Sequence, residues 1–169
     1  GNLYPTHGLG PVSQYMNLLR SEDNFKTIVS FSTPAMGRKK FANENFSDNH
    51  KWNELNYQNG DLNTSIIKTH LGRTIMVQWD ETSPRPYTRL NLIQGTKGIL
   101  AGGPTRAAFD DGFENFTTDA KQWIKDDGIK RLYEKYDHPL YKRLNNKTKD
   151  SGHGGMDGIM MYRIVECLQ

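Results

Sequence analysis

Two carboxylates, a guanidinium and a phenol stand close together in the segment Asp80-Glu81-Thr82-Ser83-Pro84-Arg85-Pro86-Tyr87. Pro84 and Pro86 each fix their own φ and bias the preceding residue toward extended geometry, so the segment is stiff without regular pairing. Such a loop can hold ligand-binding side chains in place, or it can be a rigid surface loop with ion pairs. A second set, Tyr4, Thr6 and His7, lies just before Pro11, which can open a helix running to about Leu19. Free N–H groups at a helix start favour polar ligands. A histidine takes or gives a proton near neutrality, and a tyrosine can hydrogen-bond or serve as a base. His7 reads as a proton-transfer group or as a capping residue. His153, set among Gly152, Gly154 and Gly155, is a third candidate; the alternative is a loop whose glycines serve backbone geometry.

Other chemistries lack their residues. The chain has no CxxC, no HExxH and no pair of histidines at ligand spacing, so no metal site can be argued. The pairs Asp80-Glu81, Asp110-Asp111 and Asp126-Asp127 are adjacent residues. Neighbours on a strand face opposite ways, so none is an acid/base dyad by itself. Gly8-Leu9-Gly10-Pro11 follows no strand and lacks a third glycine, which argues against a dinucleotide loop. A net charge of +3 with both signs interspersed gives no electrostatic case for nucleic acid. Cys167 is the single cysteine, which leaves no internal disulfide framework, and its apolar helical setting predicts a buried, inert thiol. The apolar runs are too short to span a bilayer. The missing initiator methionine and an end in mid-helix pattern read as the limits of a piece of a larger protein.

The positioning elements follow from periodicity. Asn2 to Gly10 reads as a loop and Phe25 to Ser32 as a strand. Pro34 to Phe46 reads as an irregular or short helical excursion and His50 to Asp61 as a loop. Asn63 to Thr69 and Thr74 to Thr82 form a hairpin around Leu71-Gly72, and Tyr87 to Ile93 pairs with Ile99 to Ala101 across a glycine-bearing turn. Thr74 to Trp79 carries substantial side chains on both faces, the pattern of a central strand covered on both sides. Thr105 to Phe109 adds a short strand. From about Asp119 the period becomes helical, interrupted at Pro139. Asn145 to Gly155 reads as a loop and Met156 to Leu168 as a helix with Ile159, Met160, Ile164 and Leu168 on one stripe. The 169 residues form one α+β domain, an open and mainly antiparallel sheet with helices on one face.

Several blocks are long enough to carry a resemblance: YPTHGLGPVSQYMN from Tyr4, IVSFSTPAMGRKK from Ile28, and GDLNTSIIKTHLGRTIMVQWDETSPRPYTRLNLIQGT from Gly60. HPLYKRL from His138 and GHGGMD from Gly152 continue them. Across nearly its whole length the chain resembles the C-terminal domain of glycoside hydrolase family 109. These are NAD-dependent α-N-acetylgalactosaminidases of the glucose–fructose oxidoreductase and inositol dehydrogenase superfamily. The resemblance implies an N-terminal Rossmann domain that binds NAD and is absent from this chain, while the present domain supplies much of the sugar pocket. The family's substrate motif maps onto Tyr4, Pro5, Thr6 and His7, and a further substrate tyrosine maps onto Tyr87. His7 and Tyr4 are the implied catalytic residues, with His153 a further pocket candidate and no metal.

The implied chemistry needs no carboxylate pair. NAD takes hydride from C3 of the sugar, a base removes the C2 proton, the C1 substituent is eliminated, water adds, and NADH restores C3. The implied partners are an N-acetylgalactosamine-bearing glycan, the Rossmann domain and further copies of the protein packed through the sheet, in an exported or periplasmic bacterial setting. Alternatives are an NAD(P)-dependent sugar dehydrogenase and a non-catalytic oligomerisation domain. Two positions depart from the family's pattern: an aromatic residue is expected near Gly103 and another near Gly158, where glycine costs about 1 kcal/mol of helix propensity and leaves an apolar position unfilled.

Overall fold

The structure, a computed structural model, describes residues 4–19, 22–110, 113 and 121–169. Asn2, Asp111 and Asp119, named above, lie outside them. The chain divides into two compact units, residues 1–91 and 92–169, and both are α+β with antiparallel sheets.

In the first unit β1 (Phe25–Ser32), β2 (Leu62–Thr69) and β3 (Thr74–Asp80) form a three-stranded antiparallel sheet in that order. The β2–β3 turn closes through Gly72 at φ +87°, a left-handed value that glycine adopts without steric cost. β2 is therefore central and β3 an edge among the described residues, which corrects the reading of Thr74 to Trp79 as a doubly covered central strand. Strand alternation cannot distinguish a covered face from an open one. Ile67 pairs with Ile75, Ser65 with Val77 and Asn63 with Trp79, so these side chains share one face. That face is covered: Leu18, Ile67 and Ile75 form a buried cluster with Leu9, Val12, Met16 and Val77 packed against it. On the other face Val29, Phe31, Ile66 and Met76 are exposed.

The covering helix is α1 (Thr6–Tyr15). It begins five residues before the expected start at Pro11, so His7 lies within its first turn. Pro5 precedes it at φ −74° and Pro11 lies in its interior. Lacking an N–H, Pro11 cannot donate to the carbonyl of His7. A Cβ at Gly8 or Gly10 would meet nothing within 4 Å, so these glycines mark no tight turn. Burial of Leu9 and Val12 against the sheet overrides their low propensity. The chain turns beyond Tyr15 through Asn17 at φ 50° and Leu19 at φ 68°. α2 (Gly37–Asn45) and α3 (Lys51–Glu54) follow β1, the latter inside the segment read as loop.

In the second unit β4 (Leu92–Gly95), β5 (Gly98–Ala101) and β6 (Arg106–Phe109) form another three-stranded antiparallel sheet. Strand pairing starts at Leu92, not Tyr87. Ala107, Ile124 and Ile129 form its buried cluster. α4 (Asp127–Tyr136), α5 (Pro139–Thr148) and α6 (Met156–Leu168) complete the unit. The expected break falls between α4 and α5, and Pro139 opens α5, because a first-turn N–H is unpaired in any helix. The helix continues through Asn145 to Thr148, which had read as loop. On α6 only Ile159 is buried, and Met160, Ile164 and Leu168 are exposed. Cys167 is also exposed, against the expectation of a buried thiol. It lies on the distal part of α6, where no residue is buried.

Of the two departing glycines, Gly158 is no empty slot. A Cβ on Gly158 would come within 2.7 Å of Thr148 Cβ and Ser151 Oγ; α6 approaches α5 too closely there for a side chain. Gly103 sits at φ +70°, which L side chains rarely adopt.

Candidate sugar-binding cleft

α1 reaches the end of β3 because Leu9, Val12 and Met16 lie along the face that also carries Ile75, Val77 and Trp79. Its N-terminal side brings Tyr4 against Trp79, with ring centroids 6.1 Å apart and planes at 82°. The His7 ring lies 4.7 Å from that of Tyr4 at 60°. These rings and the polar loop after β3 enclose a cavity of about 440 Å³, with Pro5, Asp80, Arg85, Tyr87 and Arg89 among its walls. Ligand pockets in proteins commonly fall between about 300 and 1,000 Å³.

The loop is pinned from both sides. Asp80 Oδ1 accepts the Ser83 amide at 3.1 Å and Oδ2 accepts Arg85 Nε at 2.8 Å. Burial alone would raise the Asp80 pKa, but the hydrogen bonds from Ser83 and Arg85 outweigh it and hold the carboxyl below its ordinary value. Asp61 ties the loop to α2: its carboxylate accepts the Met36 amide at 2.8 Å, the Gly37 amide at 3.0 Å and the Thr82 hydroxyl at 2.8 Å. It too titrates low, burial being outweighed by those bonds. Glu81 forms an ion pair with Arg38. Further on, Arg89 Nε donates to the Tyr87 hydroxyl at 2.9 Å, and 83% of Tyr87 is exposed.

Of the residues singled out in the sequence, Tyr4, Pro5, His7 and Tyr87 line this cleft, and Thr6 does not. His153 lies in the other unit, where its Nδ1 is 3.0 Å from both carboxylate oxygens of Asp157. Sequence reasoning missed Trp79 as a site residue. Its indole Nε1 is buried without a hydrogen-bond partner among the described residues, although buried polar groups are nearly always paired. The available signal was an aromatic residue closing a strand immediately before a proline-stiffened polar loop. Among the described residues no group of three or more His, Cys, Asp or Glu could hold a metal ion, and no helix is long and apolar enough to cross a membrane.

The cleft's groups suit a sugar ring better than a dinucleotide. Aromatic rings offer apolar faces, and phenol hydroxyls offer polar edges. Gly8-Leu9-Gly10 lies inside α1 rather than in a strand-to-helix turn, and Arg85 is paired with Asp80. No pyrophosphate cradle is present among these residues.

The family model described as "Glycosyl hydrolase 109, C-terminal domain" matches residues 1–169. Glycosyl hydrolase family 109 protein 1 of Akkermansia muciniphila is 57% identical over 172 residues, covering 100% of this chain and 35% of the relative. Protein 2 of the same organism is 55% identical over 172 residues, with 100% and 36% covered. A Shewanella oneidensis protein named alpha-N-acetylgalactosaminidase is 52% identical over 170 residues, again with 100% and 36% covered. The chain thus spans about a third of the length of the curated relatives it matches.

Proposed function

Starting from the membership of this chain in glycosyl hydrolase family 109, whose C-terminal domain it matches, we propose that it is the substrate-binding part of a glycosidase that removes α-linked N-acetylgalactosamine. The observation that carries this reading is the convergence of Tyr4, His7, Trp79 and Tyr87 on one cleft. A relative named alpha-N-acetylgalactosaminidase supports the choice of sugar. In this reading Tyr4 and Trp79 receive the apolar face of the ring, and Tyr87 closes over its edge. His7 is the proton-transfer group, with Tyr4 beside it to orient the imidazole.

NAD belongs, in this reading, to the rest of the protein, where it supplies reversible hydride transfer at C3 of the sugar. The residues of this chain bind and orient the sugar and move the proton. The test uses the full-length protein, with and without added NAD, on an α-N-acetylgalactosaminide that releases a chromophore. Release that depends on NAD, with no net NADH accumulation, is the expected result. Steady NADH formation from free sugar without release would instead establish a dehydrogenase. The isolated chain should be inactive.

The exposed apolar residues Val29, Phe31, Ile66 and Met76 on the open sheet face favour one companion reading: this face packs against another copy of the protein. A size measurement on the full-length protein tests it, and a strict monomer counts against it.

A further inference from the structure

A second cavity of about 440 Å³ opens beside the first, lined by Arg38, Phe41, Trp52, Leu55, Tyr57 and Glu81 among others. Glu81 lines both cavities and is the residue they share. Single exposed apolar side chains are ordinary, but here three adjoin: Phe41 is 55%, Trp52 41% and Leu55 52% exposed.

Trp52 is held despite its exposure. Its amide donates to His50 Nδ1 at 3.3 Å and its carbonyl accepts the Tyr57 hydroxyl at 3.0 Å. Its ring meets Phe46 edge-on at 4.6 Å, and His50 stacks over Phe46 at 4.4 Å. Lys39 and Asn53 tie the same turn down through the carbonyls of Asn53, Phe46 and Ser47. Asp61 fixes α2, which carries Phe41, to the loop. An aromatic surface immobilised before binding loses little entropy on contact.

We propose that this groove is a second glycan subsite, holding the sugar units next to the N-acetylgalactosamine that occupies the first cleft. The chemistry of the lining selects that occupant. Phe41, Trp52 and Tyr57 offer flat apolar faces for the C–H faces of pyranose rings, and the Arg38–Glu81 pair at the shared wall offers a planar donor and an acceptor for hydroxyls. A long apolar helix would find charged groups at that wall, and a phosphorylated ligand would find Arg38 already paired with Glu81. The proposal rests on the assignment of the first cleft to a sugar, because continuity through Glu81 is what makes the occupant the same glycan.

The test compares two substrates in the full-length protein: a methyl α-N-acetylgalactosaminide, and the same sugar α-linked to lactose. Trp52→Ala and Phe41→Ala should each lower kcat/KM on the oligosaccharide by about tenfold while leaving the methyl glycoside within about twofold. A parallel fall on both substrates, or no change on the oligosaccharide, overturns the subsite. Unchanged circular dichroism and melting show that the variants fold. A ligand-observed NMR titration with lactose alone separates this proposal from the reading of the first cleft. If the unsubstituted protein cleaves neither glycoside, that reading fails. Saturation transfer to lactose that is lost in Trp52→Ala then upholds a sugar-binding groove, and its absence from the unsubstituted protein refutes one.

Discussion

Asp80→Asn in the full-length protein isolates what the loop contributes to binding. Asp80 accepts the Ser83 amide through Oδ1 and Arg85 Nε through Oδ2 at 2.8 Å. Asparagine keeps one carbonyl oxygen for Ser83 but turns an NH₂ group toward the Arg85 N–H, so only the arginine tether is lost. A charge-assisted hydrogen bond contributes about 1.5–3 kcal/mol. The Arg85 side chain is 40% exposed, and solvent screening reduces the loss to about 1–2 kcal/mol. Where that tether holds Pro86 and Tyr87 against the cleft, the competent loop population falls and KM rises by up to about 5–30-fold. Tyr4 and His7 are positioned by α1 and Trp79 by β3, so kcat should stay within about twofold. Initial rates against concentration of a chromogenic α-N-acetylgalactosaminide read both constants. Arg85→Ala should reproduce the KM increase, and the double variant should be no worse than either single, because both remove one interaction. An unchanged KM, or additive effects of the two substitutions, would refute the role given to this tether.

His7→Ala in the full-length protein should lower turnover far more than NAD affinity; turnover at the original level would remove His7 from the chemistry. Acid should unfold the domain through Asp61, Asp80 and Asp23, the last a buried carboxylate that accepts the Leu71 amide at 2.9 Å and Arg73 Nη1 at 2.7 Å; all three are held below the ordinary value of 3.8 because hydrogen bonds outweigh the upward effect of burial. Their folded pKa values lie below the unfolded ones, so their stabilisation is complete above the unfolded value and lost as pH falls through the folded values. Tm measured between about pH 6 and about pH 2.5 should drop below about pH 4, and a flat profile would contradict the assignment. Gly158→Ala should destabilise by about 1–3 kcal/mol, since its Cβ would stand 2.7 Å from Thr148 Cβ; an unchanged denaturation midpoint would show that α5 and α6 can separate without cost.

The elements legible in the sequence were those with local signatures. Alternation on both sides of Leu71-Gly72 marked the β2–β3 hairpin, and the bounds of α6 matched its apolar run. α1 was misplaced because Gly8, Gly10 and Pro11 look like breakers, whereas the burial of Leu9 and Val12 that overrides them appears only once the sheet is built. The membership of Tyr4, His7 and Tyr87 in one cleft came from motif resemblance, since no spacing connects residues 4 and 87. Trp79 escaped because the environment of its indole depends on which helix lies across β3. His153 attracted attention through its glycine neighbours, yet Asp157, one helical turn on, is the partner its ring meets.

The disposition of the cleft's carboxylates bears on the chemistry proposed above. Two-carboxylate hydrolysis needs one carboxyl kept protonated as general acid and a second one free to act on the sugar or on water. Asp80 fits neither role: its oxygens accept from Ser83 and Arg85, and those bonds hold its carboxyl below the ordinary carboxylate value. Glu81, its neighbour, is paired with Arg38 at the wall shared with the second groove. Both carboxylates therefore act as anchors, one shaping the loop and one fixing the wall. The proton-transfer groups left facing the first cleft are an imidazole and two phenols, which suit moving a proton at carbon once another agent has made that proton acidic. Under the function proposed above, this arrangement accords with an elimination route whose redox cofactor and remaining groups come from the rest of the protein. It also explains how substitution at Asp80 can change KM without touching the chemical step.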